Sequence, residues 1–138
     1  PRRVRGVLAV THPNGERLLG GFAAFAAGDL AALEELFAPG VEWTIPGRSR
    51  LAGTARGLPA VLALVRSFAE LTDGTYGAAP QWVLADEEHA VVGYRATGSR
   101  EGRSIDIDQA LLCRFEDGRV VEVLGLPTDP DAFDAFWD

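Results

Sequence analysis

Apolar residues recur at helical spacing between Pro13 and Gly28: Leu18, Phe22, Phe25 and Ala26 form one stripe. Pro13 suits a first helical turn, and Thr11 ahead of it is a plausible cap. Gly28 stops the helix, and Asp29 has the side chain to cap the next one. That second helix carries Leu30, Leu33, Leu36 and Phe37, and Pro39-Gly40 ends it. In Val-Glu-Trp-Thr-Ile the period becomes two, so Val41, Trp43 and Ile45 share one face of a strand. Residues 46–57 read as a loop. A third helix is expected over 58–72, with Val61, Leu64, Val65 and Phe68 on one side. Four strands of a meander then follow, over 75–85, 89–99, 104–115 and 119–126. Glu116-Asp117-Gly118 is a hairpin signal. Three helices ahead of a four- or five-stranded meander read as α+β. A strongly curved antiparallel sheet wrapped over those helices makes a cone with an apolar interior.

A length of 138 residues fits one domain with a sizeable core, and an apolar content of 47% excludes disorder. Thirteen basic against twenty acidic residues give a net charge of −7, which argues against a nucleic-acid partner. No apolar run has the roughly 20 residues of a membrane span. The stretch Gly6–Val10 is shorter than a signal-peptide core of about 7–15 residues. The single cysteine, Cys113, allows no intrachain disulfide and fits a reducing cytoplasm.

Candidate chemistry is sparse. His12 and His89 are the only histidines and stand far apart, so no metal ligand set is expected. There is no Gly-rich phosphate loop and no serine nucleophile elbow. Cys113 alternates with Leu111 and Phe115, as an inert core thiol would. Gly20-Gly21 inside the first helix marks either close packing or room for a ligand. Arg48, Arg50 and Arg56 form either a solvated basic loop or a rim for an acidic or enolate-bearing ligand.

The run Phe25–Gly57, the Glu-Asp-Gly-Arg hairpin and the closing Asp-Ala-Phe-Asp-Ala-Phe-Trp resemble the SnoaL-like polyketide cyclase and ketosteroid isomerase-like branch of the nuclear transport factor 2-like superfamily. The resemblance covers about residues 12–138, one SnoaL-like domain, and leaves 1–11 as an extension that either stays flexible or adds an edge strand. It implies a cystatin-like α+β barrel, a homodimer through the outer face of the sheet, and no cofactor.

The family's catalytic patterns are missing here. Ketosteroid isomerases use an aspartate base, a tyrosine and a second aspartate that its apolar site keeps protonated. Those positions fall at Ile45, Gly21 and Leu111. The cyclases' aspartate falls at about Leu111 as well. The Asp-Arg-Asp set of limonene epoxide hydrolases falls near Tyr94, Ala96 and Gly125. What remains is an apolar, aromatic inward face that carries Trp43, Ile45, Tyr94, Ala96, Gln109, Leu111, Val123 and Gly125, with Trp82 and Phe25 closing it. Its polar groups are the Tyr94 hydroxyl, the Gln109 amide and the Trp43 indole. A strand slip of one residue exchanges the two faces and makes Asp108 the acid–base candidate.

These residues suit a small hydrophobic ligand with one or two oxygens. Tyr94 and Gln109 are the catalytic candidates if the protein is a cofactor-independent isomerase, cyclase or dehydratase. A noncatalytic ligand-binding or dimerisation module is the other reading, and a limonene epoxide hydrolase-like enzyme a lesser one.

Overall fold

The computed structural model describes residues 12–138 and the backbone of two short strands, β1 (Arg3–Val4) and β2 (Val7–Leu8). Among the described residues these two pair with each other as a separate two-stranded sheet. Then come α1 (Pro13–Ala27), α2 (Leu30–Leu36), β3 (Phe37–Ile45), β4 (Gly53–Arg56) and α3 (Leu58–Glu70). The meander follows as β5 (Gly77–Ala85), β6 (His89–Arg100), β7 (Arg103–Glu116) and β8 (Arg119–Pro127), and α4 (Pro130–Trp137) ends the chain. The expected α+β architecture is present: a curved six-stranded sheet in the order β4-β3-β8-β7-β6-β5, with helices against its inner face.

Local chemistry sets most boundaries. His12 takes the cap of α1, where its Nδ1 accepts from the Asn14 N–H at 3.0 Å; Thr11 lies outside the described residues. Gly28 turns left-handed at a φ of 69° and closes α1. Asp29 Oδ1 accepts from the Ala32 N–H at 3.1 Å and opens α2. Asp117 and Gly118 both have positive φ, as a two-residue hairpin loop between right-twisted strands requires. Ala26 is exposed and does not belong to the apolar stripe of α1.

Four expectations need correction. Phe37 already has an extended backbone and starts β3, so Pro39-Gly40 lies in a strand irregularity between Phe37 and Glu42 rather than after a helix. The loop after β3 contains β4, whose Thr54 hydroxyl meets that of Thr44 at 2.8 Å. β3 runs parallel to β8, so the sheet is not wholly antiparallel. The C-terminal segment is a fourth helix, capped by Asp129 Oδ1 on the Ala132 N–H.

The core lies between the sheet's inner face and the helices, and Val41, Val61, Val92, Val120 and Trp137 are its most deeply buried side chains. Arg100 anchors the last helix to the sheet. Its guanidinium, 2% exposed, donates to the Phe136 and Asp138 carbonyls at 2.9 Å each and to Glu101 at 2.6 Å. Arg103 adds a bond to the Asp138 carbonyl at 2.7 Å. These bonds hold the backbone on either side of Trp137.

Hydrogen bonds from a charged donor contribute about 1.5–3 kcal/mol each, and leaving the buried Phe136 carbonyl without its donor is costly. Arg100→Met should therefore lower stability in urea by about 2–4 kcal/mol, which chemical denaturation followed by tryptophan fluorescence would measure. An unchanged midpoint would show that α4 is held by apolar packing alone.

Candidate functional site

The strand register decides which side chains face inward. β6 and β7 pair Tyr94 with Gln109, and β7 and β8 pair Leu111 with Gly125 and Cys113 with Val123. Directly paired side chains stand on the same face of a sheet. Tyr94, Ala96, Gln109, Leu111 and Val123 are buried, whereas Asp106 and Asp108 are exposed on the outer face. There Arg95 holds both carboxylates, at 2.7 Å for Asp106 and 3.1 Å for Asp108. Asp108 therefore does not face the interior.

Two neighbouring lobes lie between the inner face and the helices. The larger is lined by α1, α2, α3 and the sheet through Phe22, Phe25, Leu36, Phe68, Leu111 and Val123, among others. The smaller lies toward α4 and includes Ile45, Gln109, Gly125, Phe133 and Trp137. Trp43, Phe68, Tyr76, Tyr94 and Leu111 line both lobes. The volumes are about 70 Å³ and about 30 Å³, as space open to the centre of a water molecule. One water needs roughly 10–15 Å³ on that measure, so the space suits a compact molecule rather than a polycyclic one.

Each expected lining residue has a definite place. Phe25, Trp43, Ile45, Leu111, Val123 and Gly125 line one lobe or both. Trp82 does not. A strand irregularity between Pro80 and Trp82 pairs it with Gly93 on the outer face, and its indole lies where a Gly93 side chain would stand. A β-carbon on Gly93 would collide with that ring. Gly21 lines the larger lobe, yet its missing side chain makes room for Leu36, whose methyl would sit 2.6 Å from an added β-carbon. Close packing of α1 on α2 therefore explains this glycine.

Ile45, Gly21 and Leu111, where the resemblance places catalytic groups, all line the cavity, and all are apolar. Among the described residues, no Asp, Glu, His, Lys or Arg lines either lobe. The basic loop also stays outside. Arg48 contacts Asp134 through its backbone N–H at 3.1 Å, and Arg56 pairs with Glu42 at 3.4 Å. No group of three or more potential metal ligands occurs among the described residues.

The polar pole of the cavity is small. Gln109 Nε2 donates to the Tyr94 hydroxyl at 2.8 Å. Tyr76, which sequence reasoning left inside a strand without a role, brings a second phenol. A turn after α3 positions it. The Thr72 hydroxyl, bonded to the Phe68 carbonyl at 2.7 Å, accepts from the Tyr76 N–H at 3.1 Å. Around these hydroxyls stands an aromatic cluster centred on Phe68, whose ring lies 5.6 Å from Tyr76, 5.6 Å from Trp137 and 6.0 Å from Trp43.

Burial dominates the electrostatics. It pushes the Tyr76 phenol up to about 12, while the nearby polar groups of Tyr94 and Gln109 act in the other direction. Burial, then the neighbouring Tyr76, raises Tyr94 well above its ordinary value. Burial alone lifts the Cys113 thiol, which lines the larger lobe, to about 12. All three groups are neutral near pH 7. The two phenols can donate hydrogen bonds but cannot serve as general bases there.

A family model described as "SnoaL-like domain" matches residues 20–123. The chain belongs to the SnoaL-like family. The uncharacterized protein Rv0034 of Mycobacterium tuberculosis is 39% identical over 117 residues, covering 84% of this chain and 89% of its own length. Among solved structures, Bal32a, from a soil-derived mobile gene cassette, superposes with a TM-score of 0.88 at 34% identity, over 91% of this chain and 96% of its own. A protein of unknown function with a cystatin-like fold from Xanthomonas campestris gives 0.84 at 27%, over 90% and 97%. The fold of this SnoaL-like chain is thus the nuclear transport factor 2-like, cystatin-like one.

Both tyrosines of the sequence stand in this cavity, so a phenol titration reports on the site alone. An unfolded tyrosine ionises near pH 10. The folded protein keeps its phenolic protons beyond that point, so the part of its stability that the phenols contribute is complete below about pH 10 and falls as pH rises toward 12. Near-ultraviolet phenolate absorbance should therefore appear late and together with unfolding. A reversible transition near pH 10 in the folded protein would contradict the buried placement.

Proposed function

We propose that this SnoaL-like protein binds a small, uncharged, hydrophobic molecule carrying oxygen. The observation that carries the reading is a cavity with apolar and aromatic walls in which polar groups gather at one pole around Tyr94, Gln109 and Tyr76. A charged ligand would lose its hydration there without an opposite charge in the lining. No cofactor enters this reading.

Chemistry on the ligand, if it occurs, is of the isomerase, cyclase or dehydratase type. Tyr94 would donate to a developing oxyanion, and Gln109 would hold the Tyr94 hydroxyl in place. The proton acceptor has to come from the substrate or water, because no carboxylate or histidine lines the cavity. That lack favours a noncatalytic ligand-binding module over an enzyme. An epoxide hydrolase-like mechanism finds no acid–arginine–acid set there, since Arg95, Asp106 and Asp108 stand together on the outer face.

The outer face also favours a homodimer. Cross-strand pairing sets Leu84, Val91, Leu112 and Leu124 in one apolar row across β5, β6, β7 and β8. Leu84 is 61% exposed and Leu126, beside the row, 41%. Ion pairs flank it: Arg95 with Asp106 and Asp108 on one side, Arg114 with Glu116 and Glu122 on the other. Apolar centres with polar rims are typical of protein interfaces. A buried free thiol and no disulfide fit a reducing cytoplasm.

Thermal shift against neutral aromatic and cyclic-ketone molecules tests the binding reading. A ligand at 100 times its Kd should add about 2.7 kcal/mol of stability. Val123→Phe, which fills the larger lobe, should abolish that gain. Equal gain in Val123→Phe, or none for any compound in the wild type, would sink the reading. Where a compound is converted, Tyr94→Phe should lower turnover by about 10²–10³.

Light scattering tests the assembly separately. It should give twice the chain mass of 14.7 kDa, and Leu112→Lys should reduce it to one. A wild-type monomer at micromolar concentration would refute the dimer.

A further inference from the structure

Three buried side-chain polar atoms among the described residues lack a hydrogen-bond partner: Arg100 Nε, Gln109 Oε1 and Trp137 Nε1. Buried polar groups are paired in the great majority of cases, so each exception calls for an explanation. Two of the three belong to residues that line the same space, the smaller lobe of the cavity. They are opposite in kind, because Gln109 Oε1 only accepts and Trp137 Nε1 only donates. Gln109 is 5% exposed and Trp137 1%, so bulk water does not satisfy them.

Both groups are held in place before any ligand arrives. The other end of the Gln109 amide is fixed by its 2.8 Å bond to the Tyr94 hydroxyl, which leaves Oε1 as the free end. Trp137 lies between the two carbonyls that Arg100 grips, and its ring packs at 4.8 Å from Phe136 and 5.4 Å from Tyr76. Neither side chain can turn away to find another partner without breaking those contacts. The two lobes share Trp43, Phe68, Tyr76, Tyr94 and Leu111 in their linings.

We propose that the smaller lobe is a docking pole for an uncharged ring molecule that carries both a hydrogen-bond donor and a carbonyl oxygen. Gln109 Oε1 accepts from the ligand N–H or O–H, and Trp137 Nε1 donates to its oxygen. The ring itself lies toward the apolar lobe. Lactams and enolised or hydroxylated cyclic ketones meet this description. Simple hydrocarbons leave both protein groups unpaired, and carboxylates meet no cation in the lining. The proposal rests on the cavity binding neutral molecules, and it adds which neutral molecules the site selects.

Calorimetry with five probes tests it: 2-pyridone, N-methyl-2-pyridone, 2-methoxypyridine, toluene and benzoate. The two methylated compounds keep the ring but lack the donor. The wild type should bind 2-pyridone at least about tenfold more tightly than either methylated form or toluene, the scale of one buried hydrogen bond made or lost. Benzoate should bind weakest. Gln109→Leu should remove the preference for 2-pyridone over N-methyl-2-pyridone and leave toluene binding in place. Trp137→Phe should reduce 2-pyridone and N-methyl-2-pyridone binding alike, since both need its donor.

If toluene binds as well as 2-pyridone in the wild type, the cavity reading stands and the docking pole is overturned, with ordered water as the partner of the two atoms. Preference for benzoate overturns the neutral ligand. If no probe binds, toluene included, the cavity reading falls as well. The wild-type comparison decides even where a variant fails to fold.

Discussion

The pairing of β6 against β7 is the constraint on which this site depends. It sets Tyr94 opposite Gln109 inside and Arg95 opposite Asp108 outside. A shift of one residue would bring Arg95, Asp106 and Asp108 into an apolar interior and leave Tyr94 and Gln109 in water. Burying those charges away from solvent would be strongly unfavourable. The ion pairs on the outer face and the apolar residues on the inner face therefore enforce the same register from opposite sides.

The consequence is a cavity lining with polarity but no charge. Tyr94, Tyr76 and Gln109 form a hydrogen-bonding pole in a cavity otherwise walled by aromatic and aliphatic side chains. Its phenols hold their protons because burial disfavours the phenolate. Helix α4 adds Trp137 to the lining of the smaller lobe, and Arg100 fastens the carbonyls on either side of it. Related folds support unrelated chemistries, so activity has to be argued from such groups and not from architecture. Here the lining offers hydrogen-bonding groups and no charge.

Much of this was readable along the chain. Period-two alternation in β3 and β7 is strong, and it placed Trp43, Ile45, Gln109 and Leu111 inward and Asp106 and Asp108 outward. Gly28, Asp29 and Asp117-Gly118 act through local backbone chemistry, so their roles are visible in sequence. The missed features depend on distant contacts. Tyr76 enters the cavity through a turn built on Thr72, and nothing in its neighbours' hydropathy marks that. Trp82 lies outside because a single strand irregularity reverses its face, which alternation cannot detect. Trp137 acquires a role from Arg100, far away in sequence. β4 is short and half-exposed, so its pattern resembles a loop.

A high-resolution crystal structure of the protein without added ligand would test the uncharged, two-part interior most directly. Ordered water is expected only beside Gln109 Oε1 and Trp137 Nε1, with the lobe between Phe22 and Val123 dry, because apolar cavities without polar partners do not hold water. Tyr94 and Gln109 should remain within hydrogen-bond distance. A chain of ordered waters through the apolar lobe, or Gln109 turned toward bulk solvent, would contradict such an interior.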